Sequence, residues 1–272
     1  MYYVRVFLTF FRNSLIREMT FRGNFLIQVV TRLFWFAAQI AMFRIIFSQV
    51  RLIREWSEDQ YFAFMATGML VNSIVEAFFM PNCAEFSEKI RTGHLDFALT
   101  KPIDTQFLVS LEKVNLAMVS QMLLSVWLLL RSLVRIDAPI SATQVLLYLF
   151  YVSVGVMFFY SLMIATACTS VLFGRNQGLY DFWFYITVFA RYPRSIYDGR
   201  SADQTEPGEA IQFLFSWIIP ILLVITVPAQ VIVGTLQDWR LAIVSLIASL
   251  AGLVMARCIF QWSLGQYRSA SS

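Results

Sequence analysis

Residues 143–172 read TQVLLYLFYVSVGVMFFYSLMIATACTSVL, a run of apolar and small residues without a single charge. About 20 apolar residues in a helix cross the hydrocarbon core of a bilayer, so this run is long enough to span a membrane. Small residues let helix backbones approach closely where lipid gives no hydrophobic drive for association. We therefore expect a spanning helix that packs on others through small residues. These residues are Ser153, Gly155, Ser161, Ala165, Thr166 and Ala167.

The same apolar character extends over the whole chain of 272 residues. Hydrophobic residues make up 58% of it and charged residues only 14%, and the mean hydropathy is +0.65. A soluble domain is nearer half apolar and a quarter charged, so this chain has too little polar surface to face water all round. We predict one all-α integral membrane domain over residues 1–272, with six transmembrane helices. They lie at about 23–48, 60–81, 107–131, 143–172, a shorter run to Ala190, and 239–264.

Residues 1–22 are expected to lie on the membrane rather than cross it. A basic strip with Arg5 and Arg12 adjoins an apolar helical face, a pattern typical of a helix in the membrane surface. The apolar face consists of Val4, Phe7, Leu8, Phe11 and Leu15. The alternative is a cytoplasmic extension of the first span.

Residues 209–234 form the ambiguous segment of the chain. The segment is long enough to span, but Pro220 and Pro228 interrupt it, and proline removes a backbone donor and kinks a helix. Broken backbone is tolerated at membrane depth where protein buries it or where it lines a cavity. We predict two half-helices that turn back within the membrane, a re-entrant hairpin before the last span.

Catalytic and nucleic-acid-binding chemistry is not indicated. His94 is the only histidine, and the three cysteines (Cys83, Cys168 and Cys258) lie far apart without metal-binding or redox spacing. The chain has no Gly-x-x-x-x-Gly-Lys-Ser/Thr loop to hold phosphates. Its basic residues stand singly between apolar runs, which does not indicate a nucleic-acid patch. We predict no enzymatic activity, no cofactor or metal in this chain, and no nucleic-acid partner.

Arg32 and Glu76 lie inside the first and second predicted spans, where charges are costly and often functional. Arg32 lies ~14 Å into the first span and Glu76 ~9 Å from the cytoplasmic end of the second, at 1.5 Å per residue. These depths allow an Arg32–Glu76 pair between antiparallel neighbours. One interpretation is a structural clamp; the other is a polar element of a substrate pathway.

The longest polar stretch of the first half, residues 82–106, opens with a short predicted helix over 84–92. Gly93 should end this helix, because the left-handed C-terminal cap favours glycine. Phe86 and Ile90 share one face at a spacing of four. The charged residues around them are Glu85, Glu88, Lys89 and Arg91. An apolar pair rimmed by charges predicts a helix that docks on a partner protein.

Residues 91–102 read RTGHLDFALTKP and resemble the R-x-G-x-L-D-x-x-L-x-K-P stretch of bacterial ABC-2 type permeases, closest to the ABC-2 membrane family 6 branch. Other features agree in their order along the chain. They are the basic amphipathic start, Tyr192-Pro193, the proline-broken segment, and Tyr267-Arg268-Ser269-Ala270-Ser271 at the end. The resemblance covers essentially the whole chain.

This resemblance implies a six-helix half-transporter in a bacterial inner membrane. Residues 1–22 would be its interfacial elbow, and 84–92 a coupling helix docked on a separate cytoplasmic ATPase, present in two copies, which binds Mg-ATP. A second permease, identical or different, would complete the transporter. The resemblance implies export, and the aromatic-rich interior suggests a hydrophobic or amphipathic substrate.

Orientation and rival functions complete the expectations. Six spans put both termini on one side, and about ten basic residues inside against eight outside weakly favour the cytoplasm for that side. A membrane scaffold or assembly subunit would need no cytoplasmic lever. An ion-driven secondary transporter would need paired intramembrane carboxylates, and Glu76 is the only acidic residue clearly inside a span. An intramembrane enzyme is the third rival.

Overall fold

The computed structural model describes residues 2–137, 139–173, 178–197 and 207–267, and these residues are almost entirely helical. Residues 174–177, which fall between the predicted fourth and fifth spans, and the chain from Arg268 onward lie outside them. In order, the elements are α1 (Tyr2–Thr20), α2 (Arg22–Gln49), β1 (Leu52–Ile53), β2 (Trp56–Ser57), α3 (Glu58–Phe78), α4 (Met80–Arg91), α5 (His94–Leu99), α6 (Thr105–Leu111), α7 (Ala117–Ile136), α8 (Ala142–Phe173), α9 (Leu179–Phe189), a 3-10 turn (Arg194–Tyr197), α10 (Pro207–Phe213) continued by a π-helical turn (Leu214–Ile218), α11 (Leu223–Val233) and α12 (Trp239–Gln266).

Five helical stretches in the described residues are long and apolar enough to cross a bilayer. They are α2, α3 with α4, α7, α8 and α12. The predicted all-α membrane fold is therefore confirmed. We call the end of the bundle that carries the β1–β2 hairpin the β end, and the opposite end, which carries α4, α5 and α6, the α4 end.

The predicted start of the third span at residue 107 is wrong. Residues 105–111 form the separate helix α6, and the span α7 begins only at Ala117. The intervening backbone is held by other elements: Asn82 exchanges two hydrogen bonds with Lys113 (2.7 and 2.8 Å), and Ser14 Oγ accepts from Val114 N at 3.0 Å. Hydropathy could not show this break, because its polar groups are satisfied by residues distant in sequence.

Helices α8 and α12 run parallel through the bundle. A Cβ built on Gly252 would lie 2.6 Å from Ser161 Oγ, and Ser263 Oγ donates to Cys168 O at 3.4 Å. Two parallel helices require the chain between them to return across the bundle. Helix α9 starts this return, and by Ser195 the chain is at the β end, where Ser195 Oγ accepts from Trp56 Nε1 at 3.1 Å. With its 11 residues, α9 covers only ~16 Å, so the residues after it complete the crossing.

Residues 207–233 then form a hairpin whose two arms meet at 88°. Gln212 Nε2 donates to Arg194 O at 3.1 Å, whereas Phe215 stacks on Phe189 at 4.6 Å between ring centroids, so the first arm runs away from the β end. The second arm, α11, starts against Gly155 in the middle of α8 and ends beside Gln144 in its first turn. Both arms therefore open toward the β end, which is the geometry of a re-entrant hairpin.

The two prolines of this segment differ in their effect. Pro220 lies in the break between the arms, but Pro228 lies inside the continuous helix α11, so the prediction that Pro228 breaks the segment is wrong. Without an N–H on Pro228, the carbonyl of Val224 has no helical partner four residues on. That carbonyl instead faces Gly155, where an added Cβ would lie only 2.7 Å from its oxygen. Close packing on α8 holds the proline-containing helix together.

Helix α1 packs across the α4 end. Tyr3 contacts Phe107 at 5.0 Å between ring centroids, and Phe7 contacts Phe78 at 6.1 Å. No other part of the described chain covers Val4, Leu8 and other apolar residues of α1, so they are available to lipid. This arrangement supports the proposed interfacial position of residues 1–22.

Candidate coupling and pathway sites

The structure brings Arg32 and Glu76 together. Arg32 Nη2 of α2 lies 3.1 Å from Glu76 Oε2 of α3, and the side chains keep 40% and 24% of their exposure. Trp183 Nε1 of α9 donates to the other carboxylate oxygen, Oε1, at 3.2 Å. One carboxylate thus joins three helices at an open lateral surface of the chain. Sequence reasoning missed Trp183, because nothing in the short α9 run indicates which residue faces Glu76.

Replacing Glu76 by glutamine is expected to lower the folded yield more than the double change Arg32→Gln/Glu76→Gln. The single change leaves the guanidinium without its counter-charge in a low-dielectric environment, whereas the double change removes both charges. We expect the double variant to recover about 1–3 kcal/mol of stability relative to the sum of the singles. Thermal unfolding of the purified variants measures this coupling. Additive single effects would show that the residues are not partners.

Helix α4 differs from the predicted 84–92 helix in extent and orientation. It spans Met80–Arg91, and the single residue Phe79 separates it from α3. Glu85 and Lys89 form ion pairs with Lys113 and Glu112, respectively, which fix α4 to the backbone before α7. Four of the predicted docking residues, Glu85, Phe86, Lys89 and Ile90, are thus committed within the chain, Ile90 by packing against the core.

Phe86 was predicted to insert into a partner protein, and this prediction is wrong. Its side chain is fully buried (0% exposed) and packs on Phe260 of α12, 5.9 Å between ring centroids. The helical pattern correctly showed an apolar face, but the chain's own last helix covers it. Only Glu88 and Arg91 remain on the outer surface, joined to each other by two hydrogen bonds of 3.0 and 2.6 Å.

Besides α1, helix α5, directly after α4, exposes apolar residues at the α4 end. Gly93 ends α4 with φ +73°, as predicted, and redirects the chain into α5. Leu95 is fully buried and anchors α5, whereas Phe97 is 68% exposed and Leu99 is 42% exposed. Together with Glu88 and Arg91 they form what we call the tip surface. Large apolar side chains exposed at one end of a chain are candidates for an interaction site.

A polar cavity of about 520 Å³ opens at the β end, a volume within the usual range for small-ligand sites. It lies where the β hairpin, the 3-10 turn, the end of α11 and the start of α12 meet. Its lining consists of Glu55, Trp56, Gln60, Arg194, Gln230, Thr235, Gln237, Asp238 and Leu241. Asp238 also caps α12, accepting from Arg240 N at 2.9 Å. The mouth of the hairpin is therefore rich in hydrogen-bonding groups, unlike the apolar bundle below it.

Among the described residues, no group of three or more His, Cys, Asp or Glu side chains is arranged to hold a metal ion.

A family model described as ABC-2 family transporter protein matches residues 33–271. No curated protein and no solved structure matches the chain.

Proposed function

Since the chain belongs to the ABC-2 family of transporter proteins, with the family model covering residues 33–271, we propose that it is a permease subunit of an ATP-driven exporter. A permease subunit of an ABC transporter is a multi-pass membrane component without catalytic function of its own. The further content of the proposal is a separate ABC ATPase in two copies, a second permease of the same or another sequence, outward transport, and residence in a bacterial inner membrane.

The α4 end is assigned to the cytoplasm. It carries the basic residues of α1 together with Lys89, Arg91, Lys101 and Lys113, and cytoplasmic segments of membrane proteins are enriched in Lys and Arg. The β end then faces outward, and both arms of the 207–233 hairpin enter the membrane from outside. At the break between the arms, the backbone N–H groups of Ile221 and Leu222 donate to Ile219 O and Phe215 O at 2.6 and 3.1 Å, and both residues are buried, which satisfies the condition for irregular backbone at membrane depth.

The observation that carries the proposal is the tip surface. Phe97 is exposed on the side of α5 opposite to the buried Leu95, and Leu99, one helical turn after Leu95, is also exposed. A rigidly mounted apolar tip at the cytoplasmic end is suited to the groove of an ATPase. When ATP binding closes the ATPases, the tip would be displaced, and α4 would pass the movement to α3 through their near-continuous junction at Phe79.

The β-end cavity supports an amphipathic rather than a purely apolar substrate. Its carboxylates, amides and the Arg194 side chain offer hydrogen bonds to a polar group. A substrate leaving a predominantly apolar pathway at this point would keep its apolar part among the helices and place its polar part in the cavity.

The transport proposal predicts ATP-driven movement of an amphiphile by the complete complex. Permease and ATPase purified together and placed in liposomes should hydrolyse ATP faster than the ATPase alone. They should also move rhodamine 6G, an amphiphilic cation, across the bilayer in an ATP-dependent manner. Hydrolysis that is independent of the permease, together with no dye movement, would favour the scaffold function instead.

The proposed topology predicts the sidedness of three single cysteines in a variant lacking Cys83, Cys168 and Cys258. Glu209→Cys and Thr235→Cys, at the two ends of the hairpin, should both react with a membrane-impermeant maleimide in intact cells. Lys101→Cys should react only after permeabilisation. If the first two cysteines react from opposite sides, the segment spans the membrane and the re-entrant hairpin is excluded.

A further inference from the structure

Arg257 is the single charged residue of α12 after its first turn. It lies 17 residues beyond Arg240, or ~26 Å along the helix. That distance places it near the cytoplasmic boundary of the hydrocarbon core, where a charge on a spanning helix is costly unless it is paired. A residue of this kind is a candidate for function.

The partner of Arg257 is Asp104, which lies 153 residues earlier in the chain. Nη1 donates to Asp104 Oδ1 at 3.1 Å and Nη2 donates to Oδ2 at 2.5 Å, so the two planar groups meet in a two-pronged contact. Such a fork fixes the relative orientation of its partners as well as their distance. Nη1 also donates to Gln106 Oε1 at 2.9 Å.

Asp104 has a second role as the N-cap of α6, accepting from Phe107 N at 2.9 Å. Burial raises the pKa of this carboxyl, but the hydrogen bonds from Arg257 and from the backbone of Phe107 outweigh burial and hold the pKa below its ordinary value. The carboxylate is therefore charged at neutral pH, and both of its roles depend on that charge.

The network continues from α6 into α8. Gln106 Nε2 donates to the hydroxyl of Tyr160 at 2.9 Å, and Ser110 Oγ lies 2.9 Å from the same hydroxyl. Gln106 and Ser110 are buried, so these bonds are shielded from water. One connected set of polar groups thus joins α6 to both of the parallel helices α8 and α12.

The network lies between the tip surface and α12, so it connects the two. Asp104 follows the end of α5 by five residues, and α5 packs on both α4 and α6. Phe86 of α4 also touches α12 through Phe260, but apolar contacts are non-directional and permit sliding. The Asp104–Arg257 fork is directional, which suits it to pass a displacement of the α5–α6 segment to α12.

We propose that the Asp104–Arg257 fork, extended through Gln106 and Tyr160, is the connection by which movement of the tip surface is transmitted to α12 and α8. Arg257 is a positioning residue for coupling, not a substrate contact. The proposal rests on the proposed function, and it adds a second transmission path beside the α4–α3 junction.

Asp104→Asn tests the proposal, because asparagine is also a good N-cap and retains α6 while the charge of the fork is lost. We expect the ATPase to remain bound and to hydrolyse ATP, while dye export per ATP hydrolysed falls about tenfold, the change that losing one charge-assisted hydrogen bond gives in an equilibrium. Arg257→Gln should lower dye export per ATP hydrolysed to a similar extent. Arg257→Lys, which keeps the charge, should restore part of it.

Asp59→Asn is the matched control, because Asp59 pairs with Arg135 between α3 and α7 at the β end, 3.7 Å apart. Its export per ATP should equal that of the wild type. An unchanged ratio in Asp104→Asn, or an equal loss in Asp59→Asn, overturns the inference. If Asp104→Asn lowers the yield of folded protein, Tyr160→Phe is the second test, because it removes only the hydroxyl that links α6 to α8. Unchanged dye export per ATP hydrolysed in Tyr160→Phe would also overturn the inference. A wild-type complex that exports nothing overturns the proposed function and the inference with it.

Discussion

Replacing Gly155 by alanine is expected to destabilise the protein sharply, although it adds one methyl group. The new Cβ would lie 2.7 Å from the carbonyl oxygen of Val224, closer than real Cβ contacts occur. The obstructing atom belongs to the backbone of α11, which is buried on nearly every side, so no side-chain rotation relieves the clash. Overpacking of a tight interior typically costs about 1–3 kcal/mol. Separation of α8 from the hairpin should bring Gly155→Ala to the upper part of that range.

Gly23→Ala is the control for this change. Gly23 also lies in a helix, but apart from its chain neighbours and the adjacent backbone of that helix no atom lies within 4 Å of a Cβ built on it. Alanine there should leave stability unchanged or raise it by up to ~1 kcal/mol, because alanine is the better helix former. The thermal unfolding midpoints of the purified variants measure both effects. Equal midpoints for Gly155→Ala and the wild type would show that α8 and α11 are not in the described contact.

The features that sequence could predict are those set by the membrane itself. Bilayer thickness fixes the length of an apolar helix, so the start and end of α2, α8 and α12 follow closely from hydropathy. Helix rise fixes depth, which placed Arg32 and Glu76 at levels that allow contact. Gly93 was predictable because few other residues adopt positive φ at a helix end.

The features that sequence could not predict depend on contacts between distant residues. The apolar face of α4 that contains Phe86 has the same sequence pattern whether an ATPase or α12 covers it. Proline in the interior normally breaks or kinks a helix. Helix α11 continues through Pro228, and the carbonyl of Val224 that loses its helical partner packs closely on Gly155 of α8, a contact that the sequence does not show. The fork between Asp104 and Arg257 joins residues 153 positions apart, and no spacing rule connects them.

Removing the apolar side chains of the tip surface should detach the ATPase without harming the permease. Phe97 and Leu99 already face solvent in the isolated chain, so Phe97→Ser/Leu99→Ser costs little folding energy. Truncating a side chain that anchors an interface typically costs over 1 kcal/mol and up to about 4 kcal/mol of binding free energy. The double substitution should therefore weaken ATPase binding by at least tenfold.

Phe86→Ala, in contrast, should reduce the stability of the permease itself rather than its binding of the ATPase. Its ring is buried against Phe260, and removing a core phenylalanine typically costs about 3–5 kcal/mol, so folded yield should fall first. Leu52→Ser, an exposed apolar residue at the β end, is the control that should change neither property.

The most direct test of the account is recovery of the ATPase, recognised by its Gly-x-x-x-x-Gly-Lys-Ser/Thr loop, with affinity-tagged permease. The account predicts that wild-type and Leu52→Ser permease retain the ATPase. It predicts that Phe97→Ser/Leu99→Ser permease, obtained in normal yield and with a normal unfolding midpoint, loses it. Equal recovery of the ATPase with this double variant and with the wild type would contradict the assignment of the tip surface, and with it the proposed route from ATP hydrolysis to transport.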